Sequence, residues 1–288
     1  MKNIVIGLVF ASLWASASVA TKIGLHSAPP FILSNIRFFL AGILMLLAAH
    51  LYYKFPLPKR DEWKPLVIYG LLNVTIYLGA FVLAMKEVSA GVGTLSVGLN
   101  PLIISILSSL VFGKKLQFNI ILGLFLGFLG VAIATYTPLL EATITMKGLV
   151  ILMFSMLSYS IGTVYFSNRI WSMPRLVING WQVFFGGVFL LPFTLLFSDF
   201  QAVKIDTDFW IGVLWLAIPV SIVAVQLWLY LLNIDSVKAS LWLFLCPVFG
   251  FYYAHFFLNE KLDIFTYIGT CFVILGLYVG QKEKFQKV

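Results

Sequence analysis

The sequence predicts an all-α, polytopic membrane protein: ten transmembrane helices built as two inverted five-helix repeats. Three observations predict it. Of 288 residues, 61% are hydrophobic and 10% charged, and the mean hydropathy is +1.01. Soluble domains carry about 25% charged residues, so this chain has too few charges to cover a soluble surface. The apolar residues fall into ten runs of membrane-crossing length, and short residue patterns in the first half return in the second. The composition excludes a soluble enzyme, a disordered tail and a secreted disulfide scaffold.

A span needs about 20 mostly apolar residues. The runs are Ile4–Ile23, Phe31–Tyr53, Pro65–Met85, Gly91–Gly113, Phe118–Tyr136, Gly148–Ser167, Leu176–Ser198, Phe209–Leu231, Ala239–Leu258 and Ile264–Gly280. Barrel strands would be about 10 residues long with strict alternation, which these runs lack. In the first, Lys2, an apolar stretch and Ser18-Val19-Ala20 imitate a cleavable signal. Its removal would leave nine spans and break the repeat, so it is read as a span. The connecting segments are too short to fold as soluble domains.

Orientation follows from the basic residues. With the N-terminus in the cytoplasm, Lys2, Lys54, Lys59, Arg60, Lys64, Lys114, Lys115, Arg169, Arg175, Lys238, Lys282, Lys284 and Lys287 fall inside. Only Lys22, Lys86, Lys147, Lys204 and Lys261 fall outside. Positive charge concentrates on the cytoplasmic side, so both termini are expected there, in the cell inner (plasma) membrane. The net charge of +8 therefore reflects membrane orientation, with no nucleic-acid partner. Cys246 and Cys271 offer no metal spacing and no disulfide framework; no metal or other cofactor is expected.

The repeat is read from matched positions. Pro30, Asn35 and Gly42 return 144 residues later as Pro174, Asn179 and Gly186. Pro101, Lys115, Leu116, Gly123, Leu129 and Gly130 return 146 residues later as Pro247, Lys261, Leu262, Gly269, Leu275 and Gly276. Each half holds five spans, and five is odd, so the second half crosses in the opposite sense. The units are residues 1–140 and 141–288. Inverted repeats mark many secondary transporters, with the site near the midplane between them.

These residues resemble the drug/metabolite transporter superfamily, in its EamA-type ten-helix branch. The resemblance rests on Trp14, on Arg37-Phe38 after Pro29-Pro30, and on Val88-Ser89-Ala90 with Pro101, Gly123 and Gly130. The second-half counterpart runs from Ala239-Ser240 through Pro247 to Asn259-Glu260-Lys261-Leu262, Gly269 and Gly276. It covers essentially the whole chain. One departure concerns the residues after the fourth and ninth spans, where the family usually has Gly-Glu. Here they are Gly113-Lys114 and Asn259-Glu260, so a carboxylate is not implied at both places. The resemblance implies a permease for small polar or amphipathic metabolites, often an exporter of amino acids or toxic compounds. Proton exchange, solute exchange and facilitated movement are all compatible with it.

Polar side chains are costly against lipid and belong in the bundle or a cavity. On this basis Trp14, Tyr77, Asn100, Tyr159, Gln182, Gln226, Tyr230 and Trp242 are the expected substrate-binding residues, with Gln226 foremost among them. Each has a plainer role as helix-to-helix glue or as part of an interfacial belt. Pro101 and Pro247 are expected hinge or gate positions, since proline removes a helix hydrogen bond and kinks the helix; a static kink is the plainer role. Arg37 and Glu260 are the expected structural charges, Arg37 either reaching the outer headgroups or fixing an anionic group inside. Gly123 and Gly127 permit close helix packing within one chain or between two, so a monomer or a weak homodimer is expected. The expected function is alternating-access transport of a small organic solute. A channel-like facilitator is the alternative, and no catalytic constellation is visible.

Overall fold

The computed structural model describes residues 2–113, 116–134, 136, 145–259 and 262–281. Glu260, Lys261, Lys114 and Lys115 lie outside the described residues. Among those described there is no strand. Nine helices are long and apolar enough to cross a membrane, and a tenth is shorter. They are α1 (Lys2–Leu25), α2 (Pro30–Tyr52), α3 (Trp63–Ala84), α4 (Ala90–Phe112), α5 (Phe118–Ala134), α6 (Met146–Ser167), α7 (Arg175–Phe197), α8 (Thr207–Leu232), α9 (Ser236–Leu258) and α10 (Ile264–Gln281).

The helices start where the sequence supplies a cap. The side chains of Ser89, Thr145, Asp206, Asp235 and Asp263 accept from the amides of Val92, Gly148, Phe209, Lys238 and Thr266 respectively. Each satisfies one of the amides a helix leaves unpaired at its first turn. Helices α2 and α7 instead begin at Pro30 and directly after Pro174, where the missing proline N–H costs nothing.

Three seams hold the bundle together, and all three run antiparallel. In the α5–α10 seam, a Cβ on Gly123 would stand 2.7 Å from the Gly280 Cα, and one on Gly130 only 2.6 Å from the Gly269 carbonyl oxygen. Glycine is what lets these two backbones touch. The packing expected of Gly123 and Gly127 is therefore made within the chain. In the α2–α7 seam Gly42 lies on the Phe184 backbone, and Gly180 and Gly187 receive Leu46 and Phe38. In the α4–α9 seam Thr94 fills the space over Gly250, and Ser108 and Ser236 hydrogen bond at 3.3 Å. Helix α1 runs through the middle, packed on α8, α9 and α4, with Phe10, Ala11, Trp14 and Ala15 buried.

Helices α4 and α9 are both interrupted. Helix α4 breaks at Gly98-Leu99 and restarts at Asn100; α9 tightens to a 3-10 turn over Trp242–Phe244 and resumes at Leu245. Pro101 and Pro247 explain the positions. A proline ring collides with the carbonyl four residues earlier, here Val97 and Leu243; the α4 break follows Val97, and the α9 turn spans Leu243. The far ends of the two helices also match. Gly113 and Asn259 close them with left-handed backbones, φ 63° and 57°, in the two residue types that adopt that conformation at least cost.

Helices α3 and α8 carry a different irregularity. Each widens to π-helical turns in mid-span, over Leu71–Ile76 and Leu216–Ala224. Neighbouring side chains bond the carbonyls there: Ser158 donates to Leu72 O at 2.7 Å and Asn179 to Ser221 O at 2.9 Å. Wide turns of this kind often accompany functional sites.

Candidate substrate site

Four helices bring an aromatic cluster to the centre of the bundle. Trp14 sits one helical turn beyond Phe10 on α1, so both face the same way. Tyr77 follows directly on the wide turn of α3, and Tyr159 and Trp228 come from α6 and α8. The Tyr77 and Tyr159 rings lie 4.7 Å apart, Phe10 and Trp228 4.9 Å, and Trp14 and Tyr159 5.9 Å. Such pairs add about 0.5–1.5 kcal/mol each beyond their burial. All five side chains are buried. The Tyr159 hydroxyl and the Trp228 indole N–H are buried without a hydrogen-bond partner, which is costly unless a ligand or water serves them.

A cavity of about 20 Å³ lies beside this cluster. Trp14, Tyr77 and Phe81 form its aromatic wall, and Ser18, Thr21, Thr94, Val97, Val220 and Arg37 are among the other residues that line it. That volume holds about one water molecule. Arg37 is only 6% exposed and faces the bundle interior, so it does not reach for outer headgroups. Its Nε donates to Ser221 Oγ at 2.9 Å, inside the wide turn of α8.

The structure divides the expected binding residues among several places. Trp14, Tyr77 and Tyr159 meet in the cluster. Asn100 ties α4 to α6, donating to Met156 Sδ at 3.2 Å and accepting from Ser160 Oγ at 3.1 Å. Gln182 is buried on α7 and donates to Asn179 Oδ1 at 2.9 Å; its own carbonyl oxygen has no partner. Gln226 does not lie in the core as its polar side chain suggested. It is half-buried and donates to the carbonyl of Arg175, the first residue of α7, at 3.3 Å. Tyr230 stands at the same end of the bundle, with the Arg175 guanidinium 5.1 Å from its ring centre. Trp242 lies against Gly7 and lines a separate cleft of about 530 Å³ with Asn3, Asp235, Lys238 and Gln281.

Phe10, Phe81 and Trp228 were not among the expected residues. Phe10 was legible as the residue one turn before Trp14. Trp228 had no signal beyond its type, because it sits in a largely apolar stretch of α8. Polar ties finish the two ends of the bundle. At one end Ser27 donates to Asp206 Oδ1 at 2.6 Å, and His26 meets Asp208 at 3.3 Å. Those bonds, the Ser27 hydroxyl first and then the Phe209 amide, hold the Asp206 carboxyl below its usual range. At the other end Ser172 donates to Glu62. Partial burial pushes the Glu62 carboxyl up, but hydrogen bonds from Ser172 and the Lys59 amide outweigh it and hold it low. No cluster of three or more His, Cys, Asp or Glu suited to a metal occurs among the described residues.

Known proteins share this architecture. The chain superposes on a solved crystal structure with a TM-score of 0.79 over 97% of both chains, at 19% identity, which establishes a common fold. An uncharacterized transporter of Archaeoglobus fulgidus is 29% identical over 279 residues, covering 95% of each chain. A probable amino-acid metabolite efflux pump of Salmonella typhimurium is 24% identical over 288 residues, covering 96% of this chain and 93% of that one. The model of the EamA-like transporter family matches residues 1–136 and 146–279. The chain belongs to the EamA-like transporter family, as a multi-pass membrane protein.

Proposed function

We propose that this protein is a secondary transporter that exports a small organic metabolite across the cell inner membrane by alternating access. The observation that carries this reading is the narrowness of the cavity at the aromatic cluster. It is lined by α1, α2, α3 and α4 on one side and α8 on the other, so both halves of the chain contribute. At about 20 Å³ it is far smaller than any organic metabolite. Passage therefore requires the walls to part, as in a carrier, and a standing pore fits poorly. Outward movement draws support from the relative named as a probable efflux pump.

The rocking units are residues 1–140 and 141–288, as inverted repeats. Their matched breaks at Pro101 and Pro247, their left-handed ends at Gly113 and Asn259, and the wide turns of α3 and α8 support this. The test is flux in liposomes reconstituted with purified protein, using a panel of amino acids, nucleosides and drug-like amines. A carrier gives saturable flux and counterflow for at least one of them. Flux that rises linearly with concentration, without counterflow, would instead identify a channel-like facilitator.

A further inference from the structure

We propose that the transported solute is an amphipathic organic monoanion whose carboxylate binds the Arg37 guanidinium, with no partner required for an amino group. The inference rests on the transporter reading above and names its substrate class.

A guanidinium is charged at every accessible pH and presents five donors. Arg37 is buried in mid-bundle, and its side-chain hydrogen bond among the described residues is the one from Nε to the neutral Ser221 hydroxyl. The two terminal nitrogens have no such partner, and the residue forms part of the cavity wall. The Phe38 ring lies 5.5 Å from the guanidinium carbon, but a buried cation without a counter-charge is costly, and such charges are normally paired. Among the described residues no carboxylate pairs with it. All eleven acidic residues fall between or beyond the membrane helices, or, for Asp208, in the first turn of one. An arginine fork matches a carboxylate in two parallel hydrogen bonds, so the missing counter-charge fits a solute that brings its own.

The rest of the wall defines the remainder of that solute. Trp14, Tyr77 and Phe81 offer aromatic faces; Ser18, Thr21 and Thr94 offer only hydroxyls. The Thr94 hydroxyl is already engaged with the Ala90 and Gly91 carbonyls of its own helix. No wall residue is acidic, so a substrate ammonium would find no charge there. An aryl or branched aliphatic body on a single carboxylate suits this wall better than a zwitterion or a cation.

The experiment compares phenylacetate with phenylacetamide and phenethylamine, which share one body and differ in charge. Binding to the purified protein at pH 7.5 is measured by calorimetry, and exchange of labelled probe in reconstituted liposomes. Phenylacetate should bind at least about tenfold more tightly than the amide, and the amine should not compete. Arg37→Gln should abolish the preference, and Arg37→Lys should retain part of it. Equal binding of acid and amide by the unaltered protein overturns the inference whether or not the variants fold. So does equal protection by chloride or sulfate alone, which would mark an inorganic-anion site. If the amide, the amine or a nucleoside moves and carboxylates do not, the transporter reading stands and this inference fails. If no solute of any charge binds or moves, both fail.

Discussion

Gly98 of α4 rests against the ring of Pro247 in α9: a Cβ on Gly98 would stand 3.2 Å from the proline Cγ. The interruption of α4 thus packs on the proline that follows the tightened turn of α9, beside the central cavity that Val97 helps to wall. Each break exists because a proline denies its helix one hydrogen bond. Together they place two weak points where the antiparallel α4–α9 seam must shear if the halves rock.

Replacing Pro101 or Pro247 by Ala restores an amide donor and should let the helix run straight. Solute binding should survive, while exchange in liposomes slows by about tenfold or more. Gly98→Val should act similarly by wedging the seam, since Val131 and the Leu95 carbonyl already lie within 3.1 Å of the added Cβ. Variants with unaltered exchange would make the breaks static packing features.

The α5–α10 seam should tolerate no side chain. Gly130→Leu would drive a Cβ to within 2.6 Å of both the Gly269 carbonyl and the Val273 amide. Overpacking of this sort costs about 1–3 kcal/mol, more where backbone is the obstacle. Thermal unfolding in detergent should show a marked loss, and an unchanged midpoint would mean that the helices are not in backbone contact.

Asp206 should lend stability in a pH-dependent way. Its carboxyl is held low by the Ser27 hydroxyl and the Phe209 amide. A depressed folded-state value means that the contribution is complete above the ordinary carboxylate pKa of about 4. It is then lost as pH falls through the lower folded value. The difference in unfolding midpoint between the parent and Asp206→Ala should therefore be largest at pH 6–7 and shrink below about pH 4. A constant difference would show that the charge is not what matters.

Orientation is open to direct test. Thirteen of the nineteen basic residues fall on one side if the N-terminus is cytoplasmic. A reporter fused after Val288 should then be cytoplasmic, and an accessible tag inserted near Asp206 external. The opposite pattern would invert the proposed direction of the whole bundle.

Much of this architecture was legible in the sequence. Hydropathy alone marks ten runs, because a membrane helix must be apolar over its full length. Pro101 and Pro247 mark the breaks, and their spacing of 146 carries through to the left-handed ends at Gly113 and Asn259. Which face of a helix looks inward was far less legible. A helix that is apolar all round has no polar side to set against a buried one, so spacing could not choose between core and rim for Gln226, or between interior and headgroup for Arg37. The structure sends Gln226 to the Arg175 carbonyl and Arg37 to Ser221. The wide turns of α3 and α8 were also hidden. Only Pro219, inside the turn of α8, hints at them, and such a turn shifts the facing of every residue that follows.

The most direct test of alternating access is whether the narrow cavity at Trp14 and Tyr77 opens to both sides of the membrane. Ser18 lines it, and a single thiol there, Ser18→Cys with Cys246 and Cys271 replaced by Ala, reports access. Membrane-impermeant thiol reagents should label this position when added from either side of oriented liposomes, and a transported solute should slow labelling from both. Labelling from one side only, or from neither, would contradict alternating access and leave the cavity a packing defect in a static bundle.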